Sequence, residues 1–163
     1  MIPISGLSGR GRSRGQALAE FAFVAPLFFL LLFSIVEVGR FIFAYEVANN
    51  AVREGTRYAI VHGADSLDPV GPSTASPDSS CPPTVNTAAV TTLVQHDAYT
   101  LPTATDITVC WPDGTNLRGN RVSVTADFPW QPLIDFRFDL FGVQFTPLPT
   151  LNIHAESTLV INN

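Results

Sequence analysis

The chain contains no lysine, and its nine cations are all arginine, three of them within the first fourteen residues. Charged residues amount to 14% of the 163 positions, well under the roughly 25% of an ordinary globular domain. Without a basic stripe there is nothing for a phosphate backbone to follow, so nucleic acid is excluded as a partner. The acidic balance sharpens this. The formal charge is −5, and residues 1–15 hold three arginines and no acid, so the rest of the chain sets six arginines against fourteen carboxylates.

Reaction chemistry has equally little to stand on. The three histidines, His62, His96 and His154, have no second ligand-type residue at zinc spacing, and no glycine-rich phosphate loop or nucleophile motif is present. His154 alternates onto the polar side of its segment, two residues from Glu156, as solvent-facing strands commonly do. No catalytic residue, metal site or cofactor is expected.

Charge is missing entirely from residues 21–36. Those sixteen residues make roughly 24 Å of helix, short of the ~30 Å hydrocarbon core of a bilayer. Apolar character resumes after Glu37 and Arg40 with Phe41, Ile42, Phe43, Ala44 and Tyr45. Glu37 and Arg40 lie three residues apart on one helical face, placed to form an ion pair, and Tyr45 suits the far membrane interface. Arg10, Arg12 and Arg14 precede the span, and cationic flanks stay cytoplasmic, so everything beyond the span is expected outside. Two plainer readings compete. A cleaved secretory signal has a shorter apolar run ending in an A-x-A-like site, which the exit through Ser34, Ile35, Val36 and Glu37 does not offer. An ordinary signal anchor leaves Glu20 idle at the membrane, where an ionised carboxylate costs about 2.5 to 3.5 kcal/mol at mid-span and less near the edge.

Gly15 is followed by Gln16, Ala17, Leu18, Ala19 and Glu20, so a basic stub, a glycine and an acid five residues on precede the apolar run. This resembles the processing site of type IV pilin-like precursors. The stretch from Arg14-Gly15-Gln16 through Glu20-Phe21, Pro26, the Leu/Phe run, Glu37-Val38-Gly39-Arg40 and Val52-Arg53-Glu54-Gly55-Thr56-Arg57-Tyr58 resembles the TadE-like family. These are minor, pilin-like components of the Tad (tight adherence, Flp) pilus machinery. The likeness is dense over residues 14–63 and thin beyond, where only residues 151–160 are similar to the family's C-terminal end.

The resemblance implies cleavage after Gly15 by a prepilin peptidase and insertion into the inner membrane through the N-terminal helix. It also implies homo- or hetero-oligomeric packing with other pilin or pilin-like subunits, giving a surface pilus that supports adhesion. In that family context Glu20 pairs with the new ammonium on Gln16, in its own chain or a neighbour, and Phe21 and Pro26 belong to the same assembly segment. Pro26 removes one backbone hydrogen bond and is expected to bend the helix, as membrane helices tolerate.

Beyond the span, Phe41, Tyr45, Ala48, Val52, Thr56 and Ala59 recur at spacings of three and four, predicting one long helix over residues 17–61 with Gly63 as its stop. Arg53 and Arg57 lie on another face. Residues 64–83 carry prolines, serines and aspartates at a density that predicts a surface loop. Residues 84–99 predict a short helix with Val85, Ala88, Ala89, Thr92, Leu93 and His96 on one face. Alternation at Ile107, Val109 and Trp111, at Val122, Val124, Ala126, Phe128 and Trp130, and at Leu151, Ile153, Ala155 and Leu159 predicts three strands. The fold class is therefore α+β: a long N-terminal helix, transmembrane in its first half, packed on a small antiparallel head of about three strands. Its parts are a leader (1–15), the helix (16–63), the loop (64–83) and an extracytoplasmic head (84–163).

Cys81 and Cys110 are the only cysteines. Both fall outside the membrane, where an oxidising compartment favours a disulfide over a metal site; two free thiols are the alternative. Closing a loop of about 30 residues stabilises by roughly 3 to 4 kcal/mol in the chain-entropy model. Residues 128–148 concentrate aromatics, among them Phe128, Trp130, Phe136, Phe138, Phe141 and Phe145. If exposed they form a partner or membrane-surface interface; otherwise they close the core of a small head. Two function classes remain besides a distant enzyme: a pilus subunit, and a signal-anchored extracytoplasmic binding module that does not polymerise.

Overall fold

The computed structural model describes residues 11–73, 86–133, 138–140, 143–145 and 151–162, with side chains described over 15–73, 86–133 and 151–162. The elements are α1 (Gly11–Val61), α2 (Ala88–Asp97), β1 (Asp106–Cys110), β2 (Arg121–Trp130), β3 (Phe138–Leu140), β4 (Val143–Phe145) and β5 (Leu151–Val160). The chain forms two compact units, Met1–Gly39 and Arg40–Asn163, so the distal part of α1 belongs with the head.

In the first unit α1 is rich in Ala and Leu, the strong helix formers of the run, and it continues through Pro26 without a break. Ser34 donates its hydroxyl to the Leu30 carbonyl at 2.7 Å, satisfying the one hydroxyl within the apolar run from inside the helix. The side chains point outward on every face: Leu18, Phe21, Phe23, Val24, Leu27 and Ile35 are all more than three-fifths exposed.

In the second unit α1 presents a stripe of small residues to the head. Ala44, Ala48, Ala51, Val52, Thr56 and Ala59 are buried, at the three-and-four spacing of one helical face. The expected face included Tyr45, which is instead 47% exposed while Ala44 beside it is buried. Close approach selects small side chains, and a tyrosine on this line would hold the helix away from the sheet. Gly55 shows how tight the packing is, because a Cβ there would overlap the Val94 side chain of α2 and press on Val90.

That contact also fixes which face of α2 is inward. Val90 and Val94 are its buried residues, whereas Ala88, Ala89, Thr92 and His96 of the expected face are exposed. Two valines four residues apart fill the space over Gly55, and the Ala/Thr face has less apolar area to gain from burial.

The main sheet has the order β1-β2-β5, all antiparallel. Its register aligns Val109 with Val124, Ala126 with both Ile107 and Ala155, and Phe128 with Ile153, so these side chains share the face that packs inward. Thr56 on α1 donates to Val52 O within the helix at 2.7 Å and also reaches Ser157 O of β5 at 3.4 Å, which ties the helix to the sheet. The opposite face is polar. Thr158 donates to Ser123 Oγ at 2.9 Å, Ser123 donates to Glu156, and His154 meets Asp127 at 2.8 Å across the strand pair. β3 and β4 form a separate two-stranded sheet, with Phe138 opposite Phe145 in backbone register.

Two loops close the end of the head away from Trp130. Asn116 joins them, donating its side-chain amide to Val70 O at 3.0 Å and its backbone N–H to Pro72 O at 2.9 Å, while accepting from the Ala64 N–H. Trp111 is fully buried beneath Gly71, whose φ of +95° suits glycine. Arg121 grips Asp113 with two side-chain bonds and its own backbone N–H, and holds the Asp113 carboxyl down to about 2. The loop between β1 and β2 is thereby clipped at its base by a carboxylate that stays ionised at neutral pH.

Candidate functional site

The residues singled out around the leader lie on one helical segment. Gly15 sits inside α1, exposed and with open space on its Cα. One turn on, Gln16 donates its side-chain amide to Glu20 Oε1 at 3.4 Å, which is the i,i+4 geometry that brings position 20 back over position 16. Glu20 and Phe21 are both exposed. Farther along, Phe28 meets Phe29 edge-on at 5.9 Å, and Phe29 stacks on Phe33 at 6.4 Å, so aromatic rings dress the outside of the helix.

Among the described residues one helix is long and apolar enough to cross a membrane, by length and composition. Its most apolar window has a mean hydropathy of 2.4 and is not buried at all. A helix apolar on every side lacks the polar face that a surface helix turns to water. Among the described residues, this exposed apolar segment also carries Gly15, Gln16, Glu20, Phe21 and Pro26. Glu37 and Arg40 follow at its far end, three residues apart on α1.

The other expected sites fare differently. Phe128 is fully buried and Trp130 is 9% exposed, its indole meeting the Phe41 ring edge-on at 5.4 Å. Both belong to the core, because β2 is the central strand and its alternation turns them inward. The side chains of Phe136, Phe138, Phe141 and Phe145 lie outside the described residues, as does Cys81. No described cysteine is free. Among the described residues no group of three His, Cys, Asp or Glu is placed to hold a metal.

One feature was not expected from the sequence. At the Trp130 end of the head an open groove of about 650 Å³ is lined by Arg40, Phe43, Leu101, Pro102, Trp130 and Leu133, among others. Its parts come from three separate stretches of chain. Only the clustering of Pro, Trp and Leu after residue 128 hinted at it.

Residues 15–57 match the model of a family described as TadE-like protein. The match runs from Gly15 through the apolar run and most of the small-residue stripe, and leaves α2 and the sheet outside it. No curated protein and no solved structure matches the chain.

Proposed function

We propose that the chain is a pilin-like structural subunit of a Tad-type pilus, anchored in the inner membrane by α1 and carrying its head outside. The observation that carries this reading is the coincidence of the TadE-like match with a helix that is apolar on all sides and exposed along its first half. The family is structural rather than enzymatic, which agrees with a sequence that has no catalytic constellation.

In this reading a prepilin peptidase cuts after Gly15, and the leader with its three arginines remains on the cytoplasmic side. Gln16 then bears an ammonium group one helical turn from the Glu20 carboxylate. In a poorly solvated setting the two charges attract more strongly than in water, within one chain or between neighbouring subunits. Glu37 and Arg40 act as a second, intrahelical pair that lessens the cost of charge at the outer end of the span. Neighbouring helices cover the exposed phenylalanines and leucines once the subunit leaves the lipid.

Deleting the chain is expected to abolish surface filaments, counted by electron microscopy before and after shearing. Unchanged filament numbers would end the assembly role and leave the anchored binding module in its place.

The head is further proposed to carry a disulfide between Cys81 and Cys110, tying the chain before α2 to the end of β1. Alkylation under denaturing, non-reducing conditions should modify neither thiol, and reduction should expose two. Two thiols reacting without reductant would refute the bond.

A further inference from the structure

A buried polar side-chain atom without a partner is uncommon in a folded protein and calls for an explanation. Among the described residues three atoms are of this kind: Ser66 Oγ, Trp111 Nε1 and Asn116 Oδ1. They are not scattered. All three belong to the two loops that close the head after α1 and between β1 and β2, and backbone bonds lace those loops together. The Ala64 N–H donates to Asn116 O at 3.1 Å, the Ser66 N–H to Gly63 O at 3.1 Å, and the Asn116 N–H to Pro72 O at 2.9 Å. Gly71 touches the other two side chains at once. Its Cα faces Cε2 of the Trp111 indole, the carbon bonded to Nε1, and its carbonyl accepts from Asn116 Nδ2 at 3.4 Å. An orphaned donor and an orphaned acceptor therefore flank one glycine.

The hydrogen-bonding roles are complementary. An indole N–H only donates, an amide oxygen only accepts, and a hydroxyl does both. The amide of Asn116 cannot be turned over, because Nδ2 faces two carbonyls, Val70 O at 3.0 Å and Gly71 O at 3.4 Å, and the reversed amide would set oxygen against oxygen. Oδ1 is thus held on the inner side of a residue that is 0% exposed, beside a tryptophan that is 1% exposed. Each of these groups loses its bond to bulk water on burial, and nothing within the protein offsets the loss.

The same set of atoms excludes an ion. An anion accepting from the indole would be repelled by the amide oxygen, and a cation on that oxygen would be repelled by the indole N–H. Either charge would also be taken out of water without a counter-charge. The missing partner is small, neutral, and able both to donate and to accept.

We propose that Trp111 and Asn116 hold one internal water molecule between the two loops, with Ser66 as its third partner. The water accepts from Trp111 Nε1–H and donates one proton to Asn116 Oδ1 and the other to Ser66 Oγ. Three hydrogen bonds are the usual complement of a buried water, and two already suffice to keep one. With it, the loop after α1 and the loop between β1 and β2 share side-chain partners as well as backbone bonds.

The test uses the full chain in detergent micelles, labelled with nitrogen-15 at tryptophan. Trp111 and Trp130 are the only tryptophans, so two indole resonances are expected, and the one lost in Trp111→Phe is Trp111. Its indole proton should show a cross-peak at the water frequency with NOE and ROE of opposite sign, which marks a proton held close by rather than one exchanging. Ser66→Ala leaves two partners, so the cross-peak should survive that substitution. Absence of the cross-peak in the unmodified chain, or NOE and ROE of one sign, would overturn the bound water. A cross-peak abolished by Ser66→Ala would belong to the serine hydroxyl and would overturn it as well.

Discussion

Replacing Glu20 with alanine is expected to leave the chain in the membrane and remove it from filaments. The substitution deletes a carboxylate at the edge of an apolar span, which lowers the cost of insertion, so membrane recovery should be unchanged or higher. Assembly moves the other way. An ammonium and a carboxylate about 4 Å apart attract by about 1 kcal/mol in water and about 4 kcal/mol at an intermediate effective dielectric. Each 1.4 kcal/mol is about a tenfold change in an equilibrium constant, so losing one such contact is enough to exclude a subunit from a polymer. The helix already places positions 16 and 20 within reach of each other, as the contact between Gln16 and Glu20 at 3.4 Å records. Glu20→Asp keeps the charge on a shorter side chain and should be incorporated in part. The readout is the ratio of the chain in sheared filaments to that in membranes. Normal incorporation of Glu20→Ala would remove the carboxylate from the account of assembly.

The second large effect is expected in the head. Gly71→Ala should destabilise it by about 2 to 6 kcal/mol, as the sum of two costs. A non-glycine residue at φ +95° carries strain of roughly 1 to 3 kcal/mol, and the new Cβ falls on the six-membered ring of Trp111, adding overpacking of about 1 to 3 kcal/mol. The indole has nowhere to move, since Trp111 is 1% exposed and Asn116 seals the loop beside it. Gly119 separates the two terms. Its φ is +88° with nothing within 4 Å of the would-be Cβ, so Gly119→Ala should show the strain alone. Thermal unfolding followed by near-ultraviolet circular dichroism measures both variants, and equal losses would mean that the Trp111 contact contributes nothing.

The sequence was most legible where one physical demand dominates. In residues 15–43 the sequence predicts one long apolar helix, and the structure has it, because an apolar run this long leaves little choice of element. The strands were legible for a similar reason, since β2 separates an inner face of Val122, Val124, Ala126 and Phe128 from an outer one of Ser123, Thr125 and Asp127. Faces were harder. On α1 hydrophobicity favoured Tyr45 while packing selected Ala44, because close approach to a sheet depends on size as much as on apolarity. On α2 the apolar signal was spread over Ala and Thr, and the decisive partner, Gly55, lies more than thirty residues earlier. Contacts such as Asn116 with Val70, 46 residues apart, leave no local pattern to read.

Residues 128–148 left two readings open, interface or core, and for Phe128 and Trp130 the structure gives the core. Among the described residues at that end, Leu133 of the same stretch is exposed beside Phe43 of α1. The candidate site at the leader, by contrast, is contiguous in sequence. Its residues needed only the helix to bring them into register.

The central claim is that the chain is a precursor cut at one bond, and the mature N-terminus tests it most directly. Protein taken from native membranes and from sheared surface filaments should begin at Gln16 when measured by intact-mass and N-terminal peptide mass spectrometry. A chain retaining residues 1–15 in both fractions, or one beginning beyond Tyr45, would contradict it.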